Sequence, residues 1–365
     1  MTTVSVSKIV HQAETFVFDC DGVLWNGNYL IEGTEDALQR LRAENKRLLF
    51  ITNNSAKSRA GVVDKFKSLG VEGISTDDVI TSGYSAARFL EARGVRTAIV
   101  LGSAQGIGSE LNMLGIEAIF PDASGSSGDG SCTVEEYSQL VREPHIGAVV
   151  AGSDTGLTFA KLARASLALE NNDCLFVATN RDATINVGPP GSSRMMPEAG
   201  STVGALEGGT GRKAIDVGKG GEWMMDLLHK EFGIATLAVA QHMAPSRTGQ
   251  SGESLTKADM MKELKCRTVM IGDRLDTDVA FGKQCGFTTV LPLTGVTSSQ
   301  HVQKGGTGGW KPTTVGGKTV RIANKELQEE YMPDVVVGSL AAFVSATAPA
   351  RPTCATPSGE WGGGT

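Results

Sequence analysis

The chain of 365 residues lacks several things that would have pointed elsewhere. Its six cysteines (Cys20, Cys132, Cys174, Cys266, Cys285 and Cys354) include no C-x-x-C pair and follow no regular spacing. That argues against a zinc site and against a disulfide framework, and it fits a reducing, cytoplasmic setting. There is no excess of positive charge: 34 Lys and Arg stand against 40 Asp and Glu, for a net charge of −6. A non-specific nucleic-acid binder or an anionic-membrane binder would need the opposite balance. No stretch approaches the roughly 18 apolar residues of a membrane span. The start, M-T-T-V-S-V-S-K-I-V, lacks the charged head and apolar core of a secretory signal. The five histidines are scattered and form no catalytic pattern. Aromatics make up only 5%, whereas the 46 glycines promise many turns. A hydrophobic fraction of 40% is ordinary for a globular protein of enzyme size.

Strand and helix patterns alternate along the chain. Short apolar runs at 16–18, 47–52, 95–101, 148–150, 174–178 and 268–271 read as strands. Segments 35–45, 60–69, 157–169 and 222–230 show helical spacing, and 194–210 reads as loop followed by helix. Such alternation predicts an α/β protein with a parallel sheet and helices on both faces. Three strands run directly into polar clusters: Asp19 and Asp21, then Thr52, Asn53 and Asn54, then Asp273, Asp276 and Asp278. In open parallel sheets the ligand site lies beyond the carboxyl ends of the strands, where all three clusters can meet. Two polar stretches, 241–259 and 301–331, read as insertions; the run at 301–318 reads as flexible, and the Pro- and Gly-rich tail 348–365 as disordered.

The first cluster carries the most chemistry. In T-F-V-F-D-C-D-G-V-L-W a hydrophobic strand ends in two acids, Asp19 and Asp21, followed by Gly22. One carboxylate can attack phosphorus while a second exchanges protons with the leaving group and with water. A divalent cation would relieve their mutual repulsion. The bland reading is two acids solvating a strand end. The second cluster, Thr52-Asn53-Asn54-Ser55, offers a hydroxyl and two amides able to donate to phosphate, or an N-cap for the next helix. In the third, Asp273 follows its strand directly and suits a hard cation. Asp278 suits a metal-bound water or a neighbouring lysine, and Asp276 reads as a solvated helix start. Lys219, in Gly218-Lys219-Gly220-Gly221, would be an ordinary surface lysine were it not for the other three clusters.

Taken together, F-D-C-D-G-V-L-W, T-N-N-S-A-K-S-R, Lys219 and G-D-R-L-D-T-D resemble the four motifs of the haloacid-dehalogenase-type phosphohydrolases, and specifically their 4-nitrophenylphosphatase and phosphoglycolate-phosphatase branch. The resemblance runs from about residue 15 to residue 296. It implies a Rossmann-like three-layer core with an inserted α/β cap: core at 1–94 and 195–347, cap at 95–194. It implies Asp19 as nucleophile and Asp21 as general acid and base, with Thr52, Asn53 and Lys219 on the phosphate. It also implies Mg2+ on Asp19, Asp21 (through its backbone carbonyl) and Asp273, with Asp278, Gly22 and Asn54 in support. The expected substrate is a small phosphate ester, 2-phosphoglycolate first, then 4-nitrophenyl phosphate. Pyridoxal phosphate, sugar phosphates and nucleotides stand as alternatives, and a catalytically silent scaffold is the alternative from another class. The family often forms homodimers through its cap, and neither a nucleic acid nor a membrane is an expected partner.

The chain also departs from that pattern. Gly218-Lys219-Gly220 stands where the family usually has Gly-Lys-Pro, which loses the rigid turn after the lysine. Met196-Pro197-Glu198-Ala199-Gly200-Ser201 stands where Pro-Gly-Ala-Gly-Ser is usual. The cap loop at 182–190 lacks the histidine expected of a pyridoxal-phosphate specialist. Cys20, between the two acids, reads as a packed small residue whose oxidation is a conceivable inhibitor.

Overall fold

In the computed structural model, the described residues are 6–121, 128–187, 194–236, 267–297, 302–304, 310–312, 314–315, 318–319 and 331–345. They form two parallel sheets. The first has six strands in the order Val335–Val337, Thr288–Pro292, Thr268–Ile271, Thr15–Phe18, Arg47–Thr52 and Val79–Thr81. Every pairing in it is parallel, and Thr15–Phe18 lies between Thr268–Ile271 and Arg47–Thr52. The register places Phe18 level with Ile271 on one side and with Phe50 on the other. The residues just past these strand ends therefore emerge on one edge of the sheet.

Both faces of this sheet are covered, which is why its strands are apolar throughout rather than alternating. Phe16, Phe18, Phe50 and Phe66 are fully buried on one face, with Leu38, Leu41 and Phe343. Val17, Leu49, Ile51 and Met270 point to the other, against Leu227, Leu228 and Phe281. Phe18 stacks on Phe50 at 5.5 Å, and Phe66 meets Phe50 and Trp25 edge-on, each at 4.8 Å. This aromatic cluster holds Trp25 in place at the margin of the polar edge.

The second sheet is the inserted cap. Its five strands run in the order Ile215–Asp216, Leu175–Ala178, Ala148–Ala151, Thr97–Leu101 and Glu117–Ile119, again all parallel. Helices Phe159–Leu169 and Ala199–Thr210 pack on one face through Ala165, Leu169, Val203 and Leu206.

Several elements differ from the sequence reading. Met195–Pro197, expected as loop, is a strand paired antiparallel with Thr184–Asn186. Val79–Thr81, Thr288–Pro292 and Val335–Val337 are strands that had no reading, because runs of three to five residues are too short to show a period. Within 301–318, read as flexible, Val302–Lys304 pairs with Trp310–Pro312, and Thr314–Val315 pairs with Lys318–Thr319. The expected insertion at 241–259 and the tail at 348–365 lie outside the described residues. Among the described residues no helix is long and apolar enough to cross a membrane.

Candidate active site

The three polar clusters and Lys219 meet in one cleft at the carboxyl edge of the first sheet. Its lining includes Asp19, Asp21, Thr52, Asn53, Lys219 and Asp273. Gly22 and Asn54 also line it. Asp278 lies just behind, wholly buried.

The strand geometry ends at Phe18, so Asp19 and Asp21 are not on one pleated face. The backbone N–H of Asp19 still donates to Ile271 O at 2.8 Å, and the chain then turns through Gly22 at φ +86°. This separates the two acids. Asp19 is buried and faces Lys219, whose Nζ donates to its Oδ1 at 2.5 Å. Asp21 is partly exposed: its Oδ1 accepts from Trp25 Nε1 at 2.9 Å, with Lys65 Nζ at 3.6 Å. Lys65 in turn sits over the Trp25 ring at 4.2 Å. The aromatic cluster of the core thus sets the position of Asp21 through Trp25.

Lys219 Nζ also donates to Asp278 Oδ1 at 2.6 Å. Of the two sequence-level roles for Asp278, this geometry supplies the lysine-fixing one. Burial works against the charge on Lys219, but Asp19 and Asp278 outweigh it and hold the pKa above the usual lysine range. Burial pushes the Asp19 carboxyl well up, with Lys219 pulling it back. It pushes Asp273 up to about 7, aided by Asp278 and opposed by the Val296 backbone N–H, which donates to Asp273 Oδ2 at 2.5 Å. The other oxygen, Asp273 Oδ1, is buried with no hydrogen-bond partner.

Asp19, Asp273 and Asp278 bring one carboxylate oxygen each within 4.8 Å of one another. Three buried acids, one lysine and an orphaned oxygen make a set of donors that fits a small hard cation. The cradle around Asp273 supports that fit. A Cβ at Gly22 or at Gly295 would collide with Asp273 Oδ2, so both positions must be glycine for the carboxylate to sit where it does.

The second cluster is more engaged than its residue types suggest. Thr52 Oγ1 accepts from Asn54 N at 3.0 Å, and Asn54 Oδ1 accepts from Ala56 N at 2.9 Å. Asn53 Oδ1 accepts from the Lys219 backbone at 2.9 Å, while its Nδ2 donates to Asp182 Oδ2 at 3.2 Å. Asn53 is therefore engaged through both amide atoms in shaping the site, and Asn54 through its carbonyl oxygen. The N-cap of the next helix is Ser58, which accepts from Gly61 N, so capping is not what 52–55 is for.

Gly220 changes the meaning of the missing proline. Its φ is +123°, a value that proline, fixed near −65°, cannot take. The Lys219 side chain reaches its partners from this different backbone. Restoring the usual motif with Gly220→Pro is therefore expected to lower both melting temperature and kcat, by a few °C and at least tenfold. A variant as stable and active as the parent would show that the turn tolerates either backbone.

Cys20 is fully buried, and burial, then Asp19 and Asp21, push its thiol pKa well up. A reactive thiol needs the reverse surroundings. Peroxide sensitivity of the parent and of Cys20→Ser is accordingly expected to be equal; protection by the substitution would contradict this.

Three charged side chains in the cleft had no assigned role at the level of sequence. Asp182 and Glu198 come from the cap side, and Arg274 follows Asp273. Arg274 clasps Asp276 through Nε and Nη2 at 3.1 and 2.9 Å, donates to Thr184 O at 3.2 Å, and lies 3.8 Å from Asp182. Asp276 is thus tied to Arg274 rather than simply solvated. Glu198 Oε2 accepts from Ser153 Oγ at 2.7 Å. Burial pushes the carboxyls of both Asp182 and Glu198 up. Glu198 and Arg274 lie inside the motif stretches named above but had no role there, whereas no motif marks Asp182.

Comparison with known proteins agrees with this geometry. The haloacid dehalogenase-like hydrolase family matches residues 16–117, and the related HAD-hydrolase-like family matches 217–342. Phosphoglycolate phosphatase 2 of Arabidopsis thaliana is 34% identical over 306 residues, covering 83% of this chain and 90% of that protein. The chain belongs to the haloacid-dehalogenase-like hydrolases. It is a phosphatase of that family, and its relatives include chronophin of Homo sapiens, 32% identical over 305 residues, covering 82% of this chain and 87% of that one. Among solved structures, the 4-nitrophenylphosphatase of Thermotoga maritima superposes with a TM-score of 0.62 at 26% identity, covering 93% of this chain and 99% of its own.

Proposed function

We propose that the protein is a magnesium-dependent phosphomonoesterase working through an aspartyl-phosphate, on small esters of the size of 2-phosphoglycolate and 4-nitrophenyl phosphate. The observation that carries this is the grouping of Asp19, Asp273 and Asp278 around Lys219, with Asp273 Oδ1 left without a partner.

Lys219 grips one oxygen of Asp19 and fixes the carboxylate for attack on phosphorus. As the new O–P bond forms, the ester O–P bond breaks, and Asp21 gives its proton to the departing alkoxide. Asp21 then takes a proton from water, whose oxygen attacks the acyl-phosphate and releases inorganic phosphate and free Asp19. Trp25 Nε1 orients Asp21 for both transfers. Lys219 balances charge on the transferring group, and the loop at Thr52 and Asn53 faces its oxygens. Mg2+, held by Asp19, Asp273 and the Asp21 backbone carbonyl with Asp278 in support, would neutralise the phosphate and leave Asp19 free to approach a dianion. Asp182, Thr184, Ile185 and Glu198 complete the lining of the cleft opposite the core residues. The four described cysteines are all unpaired, in keeping with a cytoplasmic location.

Hydrolysis of 4-nitrophenyl phosphate tests this reading directly. Activity should require added magnesium, vanish with EDTA and return on readdition. Turnover indifferent to divalent cations would remove the metal from the mechanism, and no turnover on any phosphate monoester would leave the scaffold reading standing.

A further inference from the structure

Lys65 lies beyond the motif stretch T-N-N-S-A-K-S-R, yet its charge reaches the acid that exchanges protons. It belongs to the helix Arg59–Ser68, which buries Val62, Val63 and Phe66 in the core. Phe66 meets the Trp25 ring edge-on at 4.8 Å. The same packing delivers the neighbouring Lys65 to that ring. Its Nζ stands 4.2 Å from the ring centroid and 3.6 Å from Asp21 Oδ1. The Lys65 side chain is only 14% exposed. The cleft is lined by Asp21 and Trp25 but not by Lys65, so any influence on a substrate runs through those two residues.

Both contacts on Asp21 fall on one oxygen. Trp25 Nε1 donates to Oδ1 at 2.9 Å, and the Lys65 ammonium faces the same atom. An indole N–H and an ammonium are donors only. Each requires Oδ1 to remain an unprotonated acceptor. A protonated Asp21 must then carry its hydrogen on Oδ2, because a hydrogen on Oδ1 would set donor against donor.

We infer that Lys65 is a positioning residue: with Trp25 it holds Asp21 Oδ1 as an acceptor and so places the proton meant for the leaving alkoxide on Oδ2. This rests on the phosphomonoesterase reading above. In the first step the ester O–P bond breaks and the proton on Oδ2 passes to the departing oxygen. In the second step Oδ2 takes a proton from the attacking water.

A leaving-group series tests the assignment. 4-Nitrophenyl, phenyl and benzyl phosphate each present one aromatic ring and no distal charge. They differ in how much the departing oxygen needs a proton: least for nitrophenolate, most for the benzyl alkoxide. The ratio kcat/KM covers the steps through departure of that oxygen. Lys65→Met keeps the apolar stem beside Trp25 and removes the charge. Its loss in kcat/KM should grow along the series, and for benzyl phosphate it should exceed the loss for 4-nitrophenyl phosphate by at least about tenfold. Lys65→Arg keeps a cation that stacks on an aromatic face, and it should restore most of the benzyl rate. Lys67→Met, on the same helix with a side chain 64% exposed, should leave the trend along the series as in the parent. A merely structural role for Lys65 would lower all three substrates by one common factor. The assignment is overturned by such a uniform loss, by no loss at all, or by an arginine variant as impaired as the methionine one. Turnover of 4-nitrophenyl phosphate by the parent separates the two readings. If it proceeds with magnesium while the losses are uniform, only the role of Lys65 fails; if it does not proceed, the phosphomonoesterase reading fails as well.

Discussion

Replacing Asp19 with asparagine is expected to reduce kcat by roughly 10^4-fold or more while leaving the fold intact. Asparagine keeps the shape and one oxygen for Lys219 but cannot form the acyl-phosphate, and loss of a covalent nucleophile is among the largest single effects in enzymes. The stability side has a definite sign. Burial raises the Asp19 pKa in the native state, so the ionised form destabilises the fold at pH values above the ordinary carboxyl value of about 4. Removing that charge should hold or raise the melting temperature of the metal-free protein. Circular dichroism and 4-nitrophenyl phosphate turnover on the same preparation check both halves. Retained magnesium-dependent hydrolysis by Asp19→Asn would overturn the nucleophile assignment.

The second large effect is expected from Lys219→Met. Lys219 is 4% exposed, and its Nζ is shared between Asp19 and Asp278. Methionine fills a similar volume but leaves three buried carboxylates facing one another with no counter-charge. Breaking a buried pair in this way costs about 3–5 kcal/mol, and here it should appear as a lowered urea midpoint in EDTA. Magnesium should recover much of that stability, because a cation among the same acids answers the same repulsion. Activity should stay down by roughly 10^2–10^3-fold even with the metal, since the charge opposite the transferring phosphoryl group is gone. Equal midpoints for parent and variant in EDTA would mean that Lys219 is not the counter-charge of the cluster. Equal turnover would remove it from the chemistry.

Much of this was legible in the chain itself. Arg47–Thr52 and Thr268–Ile271 begin and end where their apolar runs do, and the polar clusters sit directly after those strands. That follows because a strand buried on both faces cannot carry a charge, so the first carboxylate marks its end. The segment 60–69, read as helical, is the helix Arg59–Ser68, and Gly70 follows its end at φ +82°. The order of Asp19, Thr52, Lys219 and Asp273 along the chain pointed to one site because parallel strands present their carboxyl ends on a common edge.

The rest needed the folded molecule. Residue types alone put the amides of Asn53 and Asn54 at the disposal of a phosphate; the fold engages both amide atoms of Asn53, on Lys219 and Asp182, and the carbonyl oxygen of Asn54, on Ala56. Gly220 read as a lost rigid turn, and only its φ shows that a proline has no place there. Asp182 and Glu198 lie far along the chain from Asp19, and Ser153, which holds Glu198, comes from a different strand end again. The sequence by itself determined the parallel core, the family and the carboxylates that gather in the cleft, because burial period and strand termini are local properties. How Asp182, Glu198 and Arg274 are paired in the cleft was decided only by the meeting of separate segments. That pairing depends on distances between segments that no local pattern encodes.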